Sequence, residues 1–248
     1  MAALRHLIRT RLHVDAPLSA GAALALPADR AHYLGRVLRL EAGAAVRLFN
    51  GRDGEWQARI AALGKREVAL TVEELLRPQP APAGPVLAFA PIRRQRMDWL
   101  LEKATELGAG RLQPVLTAFA QTKELRADRA GTIVQEAAEQ CERLDLPDIA
   151  TALSLAGFLA AWPADRPLLF CDEAGAGGTA GAGPAGLPAG AGPPAVLVGP
   201  EGGFAEAERA AVLAHPAARP LDLGPLILRA ETAGIAALAL LAAGRRVA

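Results

Sequence analysis

Aromatic residues make up only 4% of this 248-residue sequence. Its core must therefore be assembled from alanine, leucine and valine, and rows of aromatic platforms for single-stranded nucleic acid are not expected. Cysteine is nearly absent: Cys141 and Cys171 are the only two, and with four scattered histidines they show no metal-ligand spacing. Neither a disulfide framework nor a zinc site is supported. No apolar run is long enough to cross a bilayer, and the longest, residues 233–244, fits a buried helix. Charges interrupt the apolar stretches of the first eleven residues before they can form the core of a signal peptide. A cytoplasmic location without membrane contact is the expectation.

What the chain has is 52% hydrophobic residues, enough for one large core or two smaller ones, which excludes disorder throughout. Its net charge is +1, but residues 1–78 hold 12 Lys/Arg against 8 Asp/Glu and residues 79–248 hold 15 against 18. A basic first part hints at a polyanionic partner; ordinary solvated surface is the competing reading.

Residues 46–49, 56–60 and 68–72 alternate in the manner of strands, joined by Asn50-Gly51-Arg52-Asp53-Gly54 and by a Lys65-Arg66 turn. They predict a small antiparallel β unit, preceded by a short helix over 30–40. The proline-rich stretch 78–85 can continue neither a helix nor a central strand and is placed as a linker between domains 1–77 and 86–248. Beyond it strands and helices alternate. Strands are expected at 86–90, 112–116, 168–171, 196–198 and 220–223, and helices at 97–107, 130–141, 206–214 and 231–243, the pattern of an α/β sheet. Residues 174–194 are almost entirely Gly, Ala and Pro. They contain Gly181-Ala182-Gly183-Pro184-Ala185-Gly186, which matches a dinucleotide fingerprint in letters only: a proline lies inside it and no helix start follows. A low-complexity loop is the better reading, and the nucleotide-dependent oxidoreductase it would imply is rejected.

Two segments carry the functional signal. Leu197-Val198-Gly199-Pro200-Glu201-Gly202-Gly203 and Leu223-Gly224-Pro225-Leu226-Ile227-Leu228-Arg229 each join a strand-like run to a helix through a Gly/Pro turn. In a parallel sheet both loops would open where ligands bind, with backbone rather than side chains at the surface. Either loop alone would read as a tight turn. Together they resemble the SPOUT class of S-adenosylmethionine-dependent RNA methyltransferases, specifically the RsmE family that methylates N3 of a uridine in small-subunit (16S) ribosomal RNA. The segment from Met97 to Gly108, Glu139-Gln140-Cys141-Glu142-Arg143, His32 to Arg39 and Leu48-Phe49-Asn50-Gly51 extend the resemblance over most of the chain.

The resemblance implies an α/β fold: a C-terminal SPOUT-type, trefoil-knotted methyltransferase domain with a small N-terminal PUA-like β domain that binds RNA. It implies S-adenosyl-L-methionine held by Leu197, Val198, Gly199, Pro200, Glu201, Gly202, Gly203, Leu223, Gly224, Leu228 and Arg229, no metal, a ribosomal RNA partner either free or within the assembled small subunit, and a homodimer. Arg229 is the expected catalytic cation; Glu231 either orients it, accepts a proton, or only favours the positive end of its helix. His32, Arg36 and Arg39 form a basic stripe, for RNA phosphate or for solvent. Glu139 and Arg143, four apart, read either as an ion pair on one helix or with Arg143 facing RNA.

Three positions depart from the family pattern: Leu226 stands where an arginine is usual, Glu142 replaces a glycine, and Thr117-Ala118-Phe119-Ala120 lacks an arginine. Arg93, Arg94 or Arg96 are candidates to compensate. The departures also keep open a second reading, an RNA-binding or ribosome-assembly factor with weakened or retargeted catalysis.

Overall fold

A computed structural model describes residues 8, 10–122, 124–172 and 192–244. Most of the Gly/Ala/Pro-rich tract, residues 174–191, lies outside the described residues, as do most of the first eleven. The chain forms two compact units, Met1–Pro82 with Ala138–Asp145, and Ala83–Ala137 with Leu146–Ala248.

The first unit is a five-stranded sheet in the order β1-β3-β4-β5-β2, made of β1 (Arg11–His13), β2 (Ala23–Leu26), β3 (Ala45–Phe49), β4 (Glu55–Leu63) and β5 (Val68–Arg77). The expected three-stranded antiparallel unit is its centre; β1 adds in parallel to β3, and β2 antiparallel to β5. Val46, Leu48, Ala58, Ile60, Val68, Leu70 and Val72 alternate into one core, as period-two patterning requires. The helix expected over 30–40 is shorter: α1 (Ala28–His32) runs into a π-helical stretch, Tyr33–Val37. Arg39, at φ 55, lies beyond its end.

A buried ionic network fastens this sheet. Glu55, fully buried on β4, accepts from Arg11 Nε at 2.6 Å and Arg77 Nε at 2.8 Å, with Arg47 Nη1 at 3.5 Å. Arg11 donates on to the carbonyls of Ala138 and Arg143, Arg77 to that of Glu142, and Arg47 to the Glu142 carboxylate at 2.8 Å. Segment 138–145 is thus tied to the sheet by the second ends of arginines whose first ends meet Glu55.

Glu142 sits at φ 62, in the left-handed region that glycine adopts without steric cost. The family pattern has glycine here, and the carboxylate's pair with Arg47 offsets the strain. Glu142→Ala keeps the strain and loses the pair, whereas Glu142→Gly loses both. We expect the glycine variant to be the more stable of the two by about 1 kcal/mol in urea unfolding; equal midpoints would show that φ carries no cost here.

The second unit is a sheet in the order β12-β10-β11-β6-β7-β8, parallel throughout: β6 (Val86–Phe89), β7 (Arg111–Leu116), β8 (Asp148–Ile149), β10 (Leu168–Cys171), β11 (Ala195–Val198) and β12 (Ala218–Pro220), with β9 (Leu153–Ser154) beside β7. Alternate residues feed opposite faces. Leu87, Phe89, Leu169, Val196 and Val198 pack under α2 (Arg94–Glu106), α3 (Ala127–Cys141) and α6 (Ala230–Gly244). Val86, Ala88, Leu168, Phe170, Ala195 and Leu197 pack under α4 (Leu155–Ala161) and α5 (Glu206–Ala214). A sheet covered on both faces explains why its strands read as continuous apolar runs. Helix α2 ends in a Schellman motif at the expected Gly108, with Ala109 N donating to Ala104 O and Gly108 N to Thr105 O.

The last strand is displaced from expectation: it is 218–220 rather than 220–223. Pro220 is its final residue, and after Leu221 N donates to Phe170 O the chain leaves the ladder. Residues 221–223 therefore belong to a loop. Among the described residues no helix is long and apolar enough to cross a membrane.

Candidate active site

Strands β11 and β12 flank β10 and run parallel to it, so the segments that leave their carboxyl ends emerge at the same edge. They enclose a cleft of about 270 Å³, with residues 198–204 on one wall, 221–230 on the other, and Cys171, Asp172 and Arg209 beside them. Glycines at 199, 202, 203 and 224 leave backbone open on both walls, between apolar residues such as Val198, Leu221 and Leu228. Gly203 N donates to Pro200 O at 2.9 Å, closing a turn with Gly203 at φ 68, and Gly224, at φ 104, donates to Asp222 Oδ1 at 2.8 Å. A side chain at either position would be strained, and at Gly224 a Cβ would stand in open space.

Arg229 is exposed and makes no ion pair or side-chain hydrogen bond among the described residues; its carbonyl accepts from Ala233 N at 2.8 Å in the first turn of α6. Glu231 is 5% exposed. Its partner is Arg96, not Arg229: Arg96 Nε lies 3.6 Å from Glu231 Oε1, and Arg96 Nη1 donates to Glu201 Oε1 at 2.9 Å. One guanidinium from the first turn of α2 thus joins Glu201, in the first loop, to Glu231, just after the second. The remaining oxygens, Glu201 Oε2 and Glu231 Oε2, are buried without a hydrogen-bond partner among the described residues. Buried acceptors without a partner are uncommon in native structures. Asp172 pairs with Arg209 at 2.7 Å, and its hydrogen bond and charge raise the Arg209 pKa. Burial pushes the Cys171 thiol up to about 12, so it lines the cleft as a neutral group.

Of the residues expected to hold a cofactor, Val198, Gly199, Pro200, Glu201, Gly202, Gly203, Leu223, Gly224, Leu228 and Arg229 line this cleft. Leu197 does not. Its side chain alternates to the opposite face of β11 and is fully buried in the core beside Phe170. His32, Arg36 and Arg39 are exposed in the first unit, and neither Arg36 nor Arg39 forms an ion pair among the described residues.

The expected helical pair of Glu139 and Arg143 is not formed. Helix α3 ends at Cys141, the left-handed turn at Glu142 redirects the chain, and the two side chains find other partners. Glu139 accepts from His13 N and from Arg30, while Arg143 pairs with Asp145 at 3.2 Å. Sequence reasoning missed Asp172 and Arg209, and it placed Arg96 only among three possible substitutes for an absent cation. The signal available for Arg96 was its position in the first turn of a helix, where the helix dipole disfavours cations.

Comparison with known proteins gives the class. The RNA methyltransferase domain family matches residues 79–242 and the RNA methyltransferase PUA domain family matches residues 26–73, so this chain is a two-part RNA methyltransferase. Ribosomal RNA small subunit methyltransferase E of Rickettsia conorii is 30% identical over 92% of this chain and 93% of its own length; that of Synechocystis is 33% identical over 88% and 72%. The chain belongs to the ribosomal RNA small subunit methyltransferase E family. Two solved structures agree in fold. A Legionella pneumophila protein with bound SAM has a TM-score of 0.82 at 29% identity, covering 95% of this chain and 98% of its own. The Neisseria gonorrhoeae methyltransferase E bound to S-adenosyl methionine has 0.81 at 27%, covering 93% and 95%. The shared architecture is that of SPOUT methyltransferases.

Proposed function

We propose that this protein transfers a methyl group from S-adenosylmethionine to N3 of a specific uridine in 16S ribosomal RNA. The observation that carries the reading is an exposed Arg229, unpaired among the described residues, at the rim of a glycine-bearing cleft and close in sequence to a buried Glu231 with an unpartnered oxygen. The residues present fit the cofactor. Backbone N–H and C=O groups serve its polar ends, Val198, Leu221 and Leu228 offer apolar surface, and the open space at Gly224 admits a ligand edge.

When bound, the sulfonium supplies a methyl group that is already activated. The chain's own residues have to hold the uracil N3 in line and favour loss of its proton. Arg229 is suited to stabilise the negative charge that develops on the uracil oxygens. Glu231, paired with Arg96 in the first turn of α6, is left with two proposed roles, proton acceptance or favouring the positive end of that helix.

The exposed His32, Arg36 and Arg39 are proposed to meet RNA phosphates, with the RNA either free or in the assembled small subunit, in the cytoplasm. Arg143, half-buried and paired with Asp145, is a weaker candidate. Mass-spectrometric nucleoside mapping of ribosomal RNA from cells with and without the gene tests the function. One 3-methyluridine in 16S RNA should disappear; identical maps would reject it. A second reading, an assembly factor with weakened or retargeted catalysis, is favoured by Leu226 and Phe119, which stand 77% and 52% exposed where cations were expected. Absence of S-adenosylmethionine affinity would select it.

The cofactor placement makes its own demand. A Cβ on Gly199 would stand 2.6 Å from the Phe204 ring, which packs edge-on against Phe170. Gly199→Val must displace that ring at the cleft wall, an overpacking of about 1–3 kcal/mol. Calorimetry should show S-adenosylmethionine binding at least roughly tenfold weaker; unchanged affinity would remove this loop from the cofactor site.

The active form is proposed to be a homodimer. Helix α6 buries Ala233, Ala237, Leu238 and Leu241 on its own sheet, while Ile235, Ala236, Ala239 and Leu240 remain partly or largely exposed. An apolar helix with one face uncovered seeks a second cover. Light scattering over a dilution series should show a dimer; a monodisperse monomer with full specific activity would end the proposal.

A further inference from the structure

The first turn of α2 touches the wall of one cavity and lines another. Arg96 reaches the loops of the cleft just described. Arg93, Arg94 and Met97 line a second and larger groove, about 670 Å³ in volume, whose other wall is the segment before α3 and the first turn of that helix. Four arginines line it, Arg93, Arg94, Arg126 and Arg129, against two acidic residues, Asp98 and Glu124. Its apolar lining comes from Ile92, Met97, Leu101, Leu125 and Ala130.

Helix physics does not account for this arrangement. Arg93 stands at the N-cap of α2 without a side-chain cap bond, Arg94 and Arg96 follow, and the first turn carries no acidic residue. Caps favour Ser, Thr, Asp or Asn, and the positive end of a helix repels cations. Three arginines there weaken the helix locally, and rules of local structure are most often broken where function requires it. Only part of the charge is neutralised within the groove. Arg129 is bound two-pronged by Asp98, Nε to Oδ1 at 2.8 Å, and Arg126 pairs with Asp128 at 2.7 Å. Arg93 donates only to the neutral Gln121, at 2.9 Å, and Arg94 forms no hydrogen bond or ion pair among the described residues.

The geometry points to this groove as a binding site for the phosphodiester backbone of the substrate RNA, with Arg93 and Arg94 as its phosphate ligands. This rests on the RNA methyltransferase reading and names a surface it did not include. Guanidinium groups match phosphate oxygens in geometry as well as charge, and the aliphatic floor accommodates the ribose face. One turn of α2 lines the groove through Arg94 and Met97 and holds the cleft-wall residue Glu201 through Arg96. A strand whose reacting base enters the cleft therefore carries its next phosphates past the groove, which supplies cations on that side although Leu226 and Phe119 do not.

The test is RNA binding by the full chain across a salt series, followed by fluorescence anisotropy with a labelled single-stranded 16S fragment, comparing wild type with Arg93→Gln/Arg94→Gln. Taking away one cation that meets a single-strand phosphate lowers the slope of log affinity against log salt by about 0.7. The double variant should therefore lose roughly 1.4 from the slope and bind roughly 25-fold more weakly at 0.1 M salt. S-adenosylmethionine affinity should stay at the wild-type value, since neither arginine lines the cleft, and the melting temperature should not fall, since two cations leave the positive end of α2. A variant with wild-type affinity and slope would overturn the groove while leaving the methyltransferase reading intact. A wild-type chain that binds S-adenosylmethionine but neither the fragment nor the assembled small subunit would overturn both. Displacement of the RNA by polyglutamate at equal charge concentration would assign the groove to an acidic protein segment instead.

Discussion

Arg229→Ala is expected to slow methyl transfer by roughly a hundred- to thousand-fold, or about 2.7–4 kcal/mol, the usual cost of removing one preorganised donor from a developing anion. The side chain is exposed and has no partner among the described residues, so its removal breaks no internal bond described there. Stability and S-adenosylmethionine affinity should stay close to wild type, and the deficit should appear in the single-turnover rate and in kcat more than in KM. Arg96→Gln makes the contrast. Arg96 holds Glu201 and Glu231, so its removal leaves one half-buried and one buried carboxylate without their cation and should weaken cofactor binding and rate together. If Arg229→Ala transfers methyl at the wild-type single-turnover rate, Arg229 is not the catalytic cation.

Glu55→Gln is expected to destabilise the first unit by about 3–5 kcal/mol, the range for breaking a buried ion pair from one side. The carboxylate is fully buried and answers Arg11, Arg47 and Arg77, whose side chains are 2%, 5% and 24% exposed. Without it Arg11 and Arg47, directly opposite in the β1–β3 register, face each other with only the Glu142 carboxylate, on Arg47, left to offset their repulsion. In a chain of this size the loss lowers the melting temperature by roughly 6–20 °C, read by circular dichroism. The pH dependence has a definite sign. Burial alone would raise the Glu55 pKa, but hydrogen bonds from Arg77 and Arg11 outweigh it and hold the carboxyl below the ordinary glutamate range. A depressed folded-state pKa contributes stability that is complete above the unfolded value, about 4.3, and is lost as the pH falls through the folded value. Wild type should therefore shed stability below about pH 4.3 by a step that Glu55→Gln lacks. Parallel acid profiles for the two proteins would show that the pair is not the linked group.

The same network shows where reading the sequence goes astray. The surplus of cations in residues 1–78 suggested a basic surface, yet Arg11 and Arg47 are buried and engaged by Glu55. Charge counting cannot see this, because a buried arginine and an exposed one have the same formal charge. The solvent-facing share of that surplus is smaller, and His32, Arg36 and Arg39 belong to it.

Elements with a period were legible. Strands β3 to β7, β10 and β11 and helices α2, α3, α5 and α6 fall close to where alternation or helical spacing puts them, and Gly108 stops α2 as expected. Strands β1, β8 and β9 span two or three residues each, too few for a period to register, and they exist because neighbouring strands offer them hydrogen bonds. Helix α4 is seven residues long and depends on Ser154, which caps it by accepting from Gly157 N at 3.0 Å.

What the sequence by itself determined is local: which segments alternate, where glycine and proline turn the chain, and that two glycine-bearing loops follow strands near its end. Only the tertiary structure decided which of those segments meet. It brought the two loops to one edge of a sheet and set Arg96 against Glu201 and Glu231, 105 and 135 positions further on. It also gathered four arginines of two helices and their approaches around one groove. The physical reason is that turn chemistry and periodicity act within a few residues, whereas the partner of a charge is chosen by the packing of the sheet that carries it.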